Sequence, residues 1–281
     1  MKKIRYGDIV AAVKDMCLEA AFDLPEDIVN SLKRSVMKER SSLGKSILKS
    51  LLENADIARK ERMPLCQDTG YAVFFADLGD AVVIEGGLVT DAINEGVRLG
   101  YREGYLRASI VDDPVFRRKN TLDNTPAIIH LSIVQGDRLR LRLLPKGGGC
   151  ENMSALAMLK PSEGTQGVID FIVQATVKAG PNPCPPTIVG VGIGGTADVA
   201  AMLAKKALLR PLVGRHPDAD YAKMEKAILD AINASGVGPQ GVGGAVTALA
   251  VHIETRPCHI ASLPVAVNFN CHSARFSERV L

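Results

Sequence analysis

Three of the six cysteines lie in segments whose composition is typical of loops at the ends of strands. Cys66 is followed by Gln-Asp-Thr-Gly, in which the polar side chains and the glycine favour a tight turn. Cys184 lies between prolines, which fix φ and remove backbone donors, so its loop is stiff. Cys271 follows an alternating apolar run. The alternatives are a small core residue at Cys66 and a stiff surface turn with a buried thiol at Cys184.

The spacing of these three cysteines allows a metal site assembled from distant parts of the chain. No C-x-x-C pair occurs anywhere, which argues against zinc ribbons and ferredoxin-type clusters. Three dispersed thiolates could hold three corners of a cubane cluster and leave one iron open, as a Lewis acid suited to a hydroxyl leaving group. From spacing alone, this remains one hypothesis beside buried or reactive thiols.

Composition bounds the class of protein that carries these cysteines. The 281 residues are enough for one large or two medium domains, and 47% hydrophobic with 23% charged residues is typical of a globular protein. A net charge of +3 is too small and too scattered to indicate nucleic-acid binding. No apolar stretch reaches the roughly 18 residues of a membrane span, and Asp8 interrupts any signal peptide. We therefore predict a cytoplasmic protein with reduced thiols.

The elements that position the cysteines follow from the hydrophobic period. The first 60 residues are predicted to be helical, with a helix over 7–22 and another that Ser41 and Ser42 cap; the second carries an apolar stripe of Ile47, Leu51 and Ile57. Later helices are predicted at 88–102, 152–160, 165–179, 197–209 and 218–234. Strands are predicted at 71–79, 80–86, 126–134, 138–144, 186–192, 245–254 and 259–269.

Turn residues and period together predict the fold class. Gln135-Gly136-Asp137 separates the runs 126–134 and 138–144, which indicates a β-hairpin whose second strand alternates Leu with Arg. We predict a mixed α/β fold, with a helical N-terminal layer over about 1–62 followed by a mixed, largely antiparallel sheet flanked by helices over about 63–281. Residues 1–281 then form a single domain whose seam lies near 60–64.

The segments around the cysteines resemble the class I fumarase and L-tartrate dehydratase family over nearly the whole chain. The shared motifs are CQDTG at 66–70, LRASIVDDPVFRRKNT at 106–121, PKGGGCENMSAL at 145–156, GPNPCPP at 180–186, GVGIGGT at 190–196 and HIASLPVAVNFNC at 259–271. Several long motifs in one order are far more specific than any one of them. The resemblance implies an iron–sulfur hydro-lyase that reversibly dehydrates a small hydroxy-dicarboxylate, with malate/fumarate first and L-tartrate to oxaloacetate next.

The resemblance also assigns the cluster and its surroundings. Cys66, Cys184 and Cys271 correspond to the ligands of a [4Fe–4S] cluster. Gln67 and Asp68 then lie beside the open iron, with Asp68 as a candidate for proton transfer to or from the departing hydroxyl.

Further residues correspond to the family's substrate site. Arg107 matches an arginine that clamps a substrate carboxylate, and His259 matches a histidine near the substrate, against the alternative of a satisfied strand histidine. The other carboxylate is assigned to the backbone N–H groups of Gly147, Gly148 and Gly149. The family commonly has serine after these glycines, whereas this chain has Cys150, which we interpret as a near-isosteric thiol and not a ligand.

The chain resembles the alpha subunit of two-subunit family members. It offers an acid, an anion clamp and a metal site, but no convincing base for a carbon acid apart from His259. We therefore expect a beta subunit that supplies the base, in an α2β2 assembly.

Two other functions compete with the hydro-lyase. Gly190, Gly192 and Gly195 form a G-x-G-x-x-G pattern, as in dinucleotide-binding proteins, but a polar stretch that enters another helix follows, where a strand with an acidic residue is required. The glycines could instead allow tight helix packing on the sheet. A non-catalytic binding or scaffold protein is the second alternative, and a brown purified protein would exclude it.

Overall fold

The chain folds into helices and strands, and the strands form three sheets in the computed structural model, which describes residues 1–281. The chain divides into two units, each built from separate segments. The first unit comprises Met1–Leu24, Ala55–Gly148 and Arg275–Leu281, and the second comprises Pro25–Asn54 and Gly149–Ala274. Neither unit has a boundary at residues 60–64, where the sequence analysis places the seam of a single domain. The mixed α/β class is confirmed.

The first unit is built on a four-stranded sheet. Its elements are β1 (Lys2–Arg5), α1 (Tyr6–Phe22), β2 (Tyr71–Gly79), β3 (Val82–Glu85), α4 (Val89–Glu103), β4 (Ile128–Val134), β5 (Leu139–Lys146) and β10 (Ser277–Val280). The sheet order is β10-β5-β2-β4, and β1 pairs with β3 in a separate parallel ribbon. Helices α1 and α4 pack together, and the core of this unit contains Phe74, Ile93 and Leu141, which are all fully buried.

The predicted hairpin between β4 and β5 is wrong, because β2 lies between these strands. β4 is parallel to β2, and β5 is antiparallel to it. The connecting loop crosses the end of β2, where Gly79 N–H donates to Arg138 O and Ala81 N–H donates to Gly136 O. Residues 135–137 do connect the two strands, as predicted, but this connection is hydrogen-bonded to the end of β2 and does not close a hairpin. The predicted alternation in β5 is confirmed, with Leu139, Leu141 and Leu143 buried.

The second unit holds the other four-stranded sheet. Its elements include α2 (Glu26–Lys38), β6 (Ala155–Leu159), α6 (Gly164–Ala179), β7 (Thr187–Gly194), α7 (Ala197–Ala207), α8 (Ala219–Ala234), β8 (Ala248–Arg256) and β9 (Leu263–Asn270). The sheet order is β6-β9-β7-β8, in which only β7 and β8 are parallel. Two helices complete the list: α3 (Ser42–Glu61) and the single turn α5 (Gly148–Glu151).

Two local predictions need correction, and a third is confirmed. Residues 155–159 form the edge strand β6 and not a helix, because pairing with β9 overrides the helix propensity of Ala, Leu and Met. In α3 the buried residues are Leu48, Ala55 and Ala58, whereas Ile57 is 47% exposed. The predicted cap of α3 is confirmed, since Gly44 N–H donates to Ser41 Oγ at 3.2 Å.

The glycine-rich run packs a helix on the sheet. A Cβ on Gly190 would lie 2.1 Å from Ala204 O, and one on Gly192 would lie 2.0 Å from Ala200 O, so only glycine lets α7 approach β7 this closely. The element after α7 is helix α8 and not a strand. The nucleotide-binding alternative is therefore not supported. No helix of the chain has the length and apolar character needed to cross a bilayer.

Candidate active site

The loop 66–70 lies between α3 and β2 and is anchored through its backbone carbonyls. Asp68 O accepts a hydrogen bond from Arg275 Nη2 at 2.9 Å, and Gly70 O accepts from Tyr101 Oη at 3.0 Å and from Asn124 Nδ2 at 3.1 Å. These three side chains are buried, with Arg275 only 3% exposed. Gly70 has φ of +78°, and a Cβ there would lie 2.4 Å from Lys146 O, so the position requires glycine. The loop is therefore held in one conformation.

Polar contacts surround the sulfur of Cys66. The backbone N–H of Asp68 donates to Cys66 Sγ at 3.4 Å, and the thiol donates to Gln67 Oε1 at 3.4 Å. Cys66 is half-buried. The sulfur therefore lies within reach of one donor and one acceptor, and the thiolate is the form of cysteine that binds metals.

The carboxylate of Asp68 meets the glycine-rich turn. Gly148 N–H donates to Asp68 Oδ2 at 2.7 Å, and a Cβ on Gly147 would lie 3.1 Å from the same oxygen. One of the three N–H groups assigned to a substrate carboxylate thus binds a side chain of the protein. Gly149 belongs to the second unit, where a Cβ would lie 3.1 Å from Asn182 O. The substrate role of the three glycines stays a prediction.

Arg107 is brought to this loop by two side chains. Thr69 Oγ1 donates to Arg107 O at 2.7 Å. Asn124 bonds Gly70 O through Nδ2 and accepts from Ser109 N–H at 2.8 Å through Oδ1. Arg107 is exposed. The first unit therefore gathers Cys66, Gln67, Asp68, Arg107, Gly147 and Gly148.

In the second unit, the segments of Cys184 and Cys271 are neighbours. The N–H of His272 donates to Cys184 O at 3.4 Å. Cys184 is exposed and has φ of +53°, a conformation that non-glycine residues rarely adopt and that clusters at functional sites. The loop is fixed because Gln240 donates to Pro185 O at 2.8 Å through both its backbone N–H and its Nε2.

Two of the other three cysteines are buried, which makes them poorer ligand candidates. Burial raises the pKa of the Cys17 thiol to about 12, so this cysteine stays protonated. Cys150 is buried, and its thiol donates to Pro183 O at 3.5 Å, which supports the Cys184 loop. Cys258 is exposed, and its thiol donates to Ser262 O at 3.2 Å.

The chemistry of the donor set fits a cluster held by three thiolates. Cys66, Cys184 and Cys271 are each at least partly exposed, and the first two lie on loops that side chains anchor. Cys66 belongs to the first unit and the other two belong to the second. No group of three or more His, Cys, Asp or Glu side chains is arranged to hold a single metal ion.

His259 does not lie in a strand. It occupies the exposed loop between β8 and β9, where Ala261 N–H donates to its Nδ1 at 3.1 Å. The alternative of a satisfied strand histidine is therefore wrong. Its role near a substrate stays a prediction.

Sequence reasoning missed Tyr101, Asn124 and Arg275, which hold the 66–70 loop. Each is buried although its type is usually exposed or intermediate, so composition gives no signal. The one available clue is that Arg275 closely follows Cys271 in the last motif segment.

Comparisons with known proteins identify the family of this chain. The family model described as fumarate hydratase (Fumerase) matches residues 10–280. A protein of Methanocaldococcus jannaschii, provisionally named L(+)-tartrate dehydratase subunit alpha, is 44% identical over 97% of this chain and 96% of its own length. The L(+)-tartrate dehydratase subunit alpha of Escherichia coli (strain K12) is 34% identical over 90% of this chain and 84% of its own length. The chain therefore belongs to the fumarate hydratase family of hydro-lyases.

Proposed function

We propose that this chain is the alpha subunit of an iron–sulfur hydro-lyase that reversibly removes water from a four-carbon hydroxy-dicarboxylate. The observation that carries the proposal is the set of hydrogen bonds in the first unit that joins the backbone at Arg107 to the loop of Cys66 and Asp68. Malate/fumarate and L-tartrate/oxaloacetate are the two substrate pairs. The names of the relatives in Methanocaldococcus jannaschii and Escherichia coli favour testing L(+)-tartrate beside malate.

Cys66, Cys184 and Cys271 would hold a [4Fe–4S] cluster, which supplies an open iron as a Lewis acid for the substrate hydroxyl when it is bound. The backbone N–H at Cys66 and the rigid backbone at Cys184 support this ligand set. The six cysteines form no disulfide, which suits a reducing compartment.

Asp68 exchanges the proton of the departing hydroxyl. Its Oδ2 is fixed by the N–H of Gly148, so Oδ1 is the oxygen left for proton transfer. The hydrogen bond from Arg275 to Asp68 O fixes the backbone from which this side chain extends. Gln67 orients the substrate from the same loop.

Arg107 binds one carboxylate of the substrate. Its guanidinium is exposed and makes no ion pair within the chain, and the planar fork matches a carboxylate in a bidentate manner. The N–H groups of Gly147 and Gly149 are assigned to the second carboxylate.

A beta subunit supplies the base that removes the C–H proton, in an α2β2 assembly. The segment on both sides of Arg107 exposes large apolar side chains, which favour a surface that another protein covers: Tyr105 is 92% exposed, Phe116 89% and Leu122 81%. His259 is the alternative base within this chain.

The test is an anaerobic assay of the reconstituted chain, alone and with its beta subunit, against malate and both tartrate enantiomers. We expect turnover only with both subunits. Arg107→Gln should lower kcat/KM by about 100-fold, because it removes a charge-assisted bidentate contact. The control is Arg117→Gln, since Arg117 lies on the same segment but pairs with Asp113. Turnover by the chain alone would contradict the need for a beta subunit and would assign the base to His259. An unchanged kcat/KM in Arg107→Gln would contradict the assignment of Arg107 to a substrate carboxylate.

A further inference from the structure

Strand β4 is an uncovered apolar edge of the first unit's sheet. It ends the order β10-β5-β2-β4, so one side of its backbone has no strand partner. Four of its side chains are large, apolar and exposed: Ile128 41%, Leu131 43%, Ile133 76% and Val134 41%. Residues 126–135 contain no Lys, Arg, Asp or Glu. Edge strands in monomers are normally protected by charges or bulges, so an edge of this kind indicates a partner.

The sequence of β4 reads nearly the same in both directions. It is Ile-Ile-His-Leu-Ser-Ile-Val, with Leu131 at its centre. In an antiparallel pair centred on Leu131, Ile128 faces Val134 of a second copy. Ile129 then faces Ile133, and His130 faces Ser132. Directly opposite residues on paired strands are in contact, so this register matches apolar with apolar and polar with polar side chains.

The register also continues the apolar face of the sheet. Ile129 is opposite the buried Phe74 in the pairing of β4 with β2, and it packs against the core of the first unit. Leu131 and Ile133 point to the same face, since side chains alternate along a strand, but they are exposed. In the pair, Ile133 of one copy contacts Ile129 of the second copy. The exposed C-terminal end of each β4 thus covers the N-terminal end of the other, where Ile129 packs against the core.

We propose that β4 pairs with β4 of a second copy of this chain, antiparallel and centred on Leu131, which joins two four-stranded sheets into one. Two-fold symmetry requires a self-complementary contact, and the near-palindromic sequence provides one. A different protein on this edge would have no need of such symmetry. The pairing supplies the contact between alpha subunits but does not depend on the hydro-lyase reaction.

The first test measures the oligomeric state of the full chain by sedimentation equilibrium. We expect a dimer whose dissociation constant rises about 100-fold or more in Ile133→Lys, because each dimer would bury two lysines against isoleucines. The control is Leu88→Lys, an equally drastic change at a side chain that is 65% exposed in the same unit. It should leave the dimer intact, and thermal melting of both variants checks that they fold.

The second test fixes the register by cysteine crosslinking. Under oxidation, Leu131→Cys should give a disulfide-linked dimer, because this residue faces itself across the two-fold axis. Ser132→Cys should not, because it faces His130 of the second copy, and the wild-type chain controls for its own exposed cysteines.

Four results would overturn the proposal. They are a monomeric wild-type chain, a dimer that Ile133→Lys does not weaken, crosslinking of Ser132→Cys as efficient as that of Leu131→Cys, and loss of beta-subunit binding in Ile133→Lys with self-association unchanged.

Discussion

At the scale of single residues, burial separates two of the six cysteines from the rest. Cys17 and Cys150 are buried, whereas Cys66, Cys184, Cys258 and Cys271 are at least partly exposed on loops. The deep burial of Cys17 raises the pKa of its thiol to about 12, which keeps it protonated at neutral pH. A thiol that stays protonated cannot bind iron, since the thiolate is the ligand. The division can be tested one residue at a time.

We predict that Ser in place of Cys66, Cys184 or Cys271 abolishes cluster loading, measured as iron and sulfide per chain after anaerobic reconstitution. Cys150→Ser is the matched control, because a serine hydroxyl can replace the thiol as donor to Pro183 O. It should load about one cluster per chain, as should Cys17→Ser. A variant of Cys150 that fails to load, combined with normal loading after loss of one of the other three, would contradict the ligand assignment.

At the scale of elements, close packing of α7 on β7 leads to a stability prediction. Gly192→Ala should lower the free energy of unfolding by about 1–3 kcal/mol, because the new Cβ would lie 2.0 Å from Ala200 O and the helix must move. Gly7→Ala is the control: nothing lies within 4 Å of a Cβ there, and alanine in α1 should stabilise by about 0.5–1 kcal/mol. Urea denaturation measures both. Equal stability of Gly192→Ala and wild type would show that α7 does not pack as described.

The elements also show where sequence reasoning succeeds and fails. The hydrophobic period alone is enough to predict α1, β2 and α7, since each carries its own pattern of apolar residues. The sequence does not predict β6 because its strand conformation depends on pairing with β9, more than a hundred residues away. It predicts a hairpin of β4 and β5 because a turn connects them, but β2 lies between the two strands in the sheet. The same holds for the candidate site. Its motif residues are predicted from the sequence, but the buried Arg275 and Asn124, which hold the 66–70 loop, are not.

At the scale of the whole molecule, buried His252 couples stability to pH. It is 2% exposed, and burial, reinforced by Arg210, lowers the pKa of its imidazole from 6.5 to about 4. The folded state therefore holds it neutral, whereas the unfolded chain takes up a proton below pH 6.5. This residue's stabilisation is complete above about pH 6.5 and is lost as the pH falls towards 4.

We predict that the free energy of unfolding falls by about 2 kcal/mol between pH 7 and pH 4.5 through His252 alone. His252→Gln should reduce the total loss by that amount, as measured by urea denaturation of the cluster-free chain at both values. His216→Gln is the control, because the side chain of His216 is less buried than that of His252. The same pH dependence in His252→Gln and wild type would exclude this residue as the cause.

The discontinuous first unit has a consequence for synthesis on the ribosome. Its strand β10 pairs with β5, yet residues 149–274, which belong to the second unit, are translated between them. A nascent chain emerges from its N-terminus, so the second unit can complete its sheet while the first still lacks its last strand. Until that strand arrives, β5 is an open edge of a half-built sheet. The closing event of co-translational folding is thus the return of Ser277–Val280 to a strand that was translated far earlier, and a ribosome paused before these codons would present a chain with its first sheet unfinished.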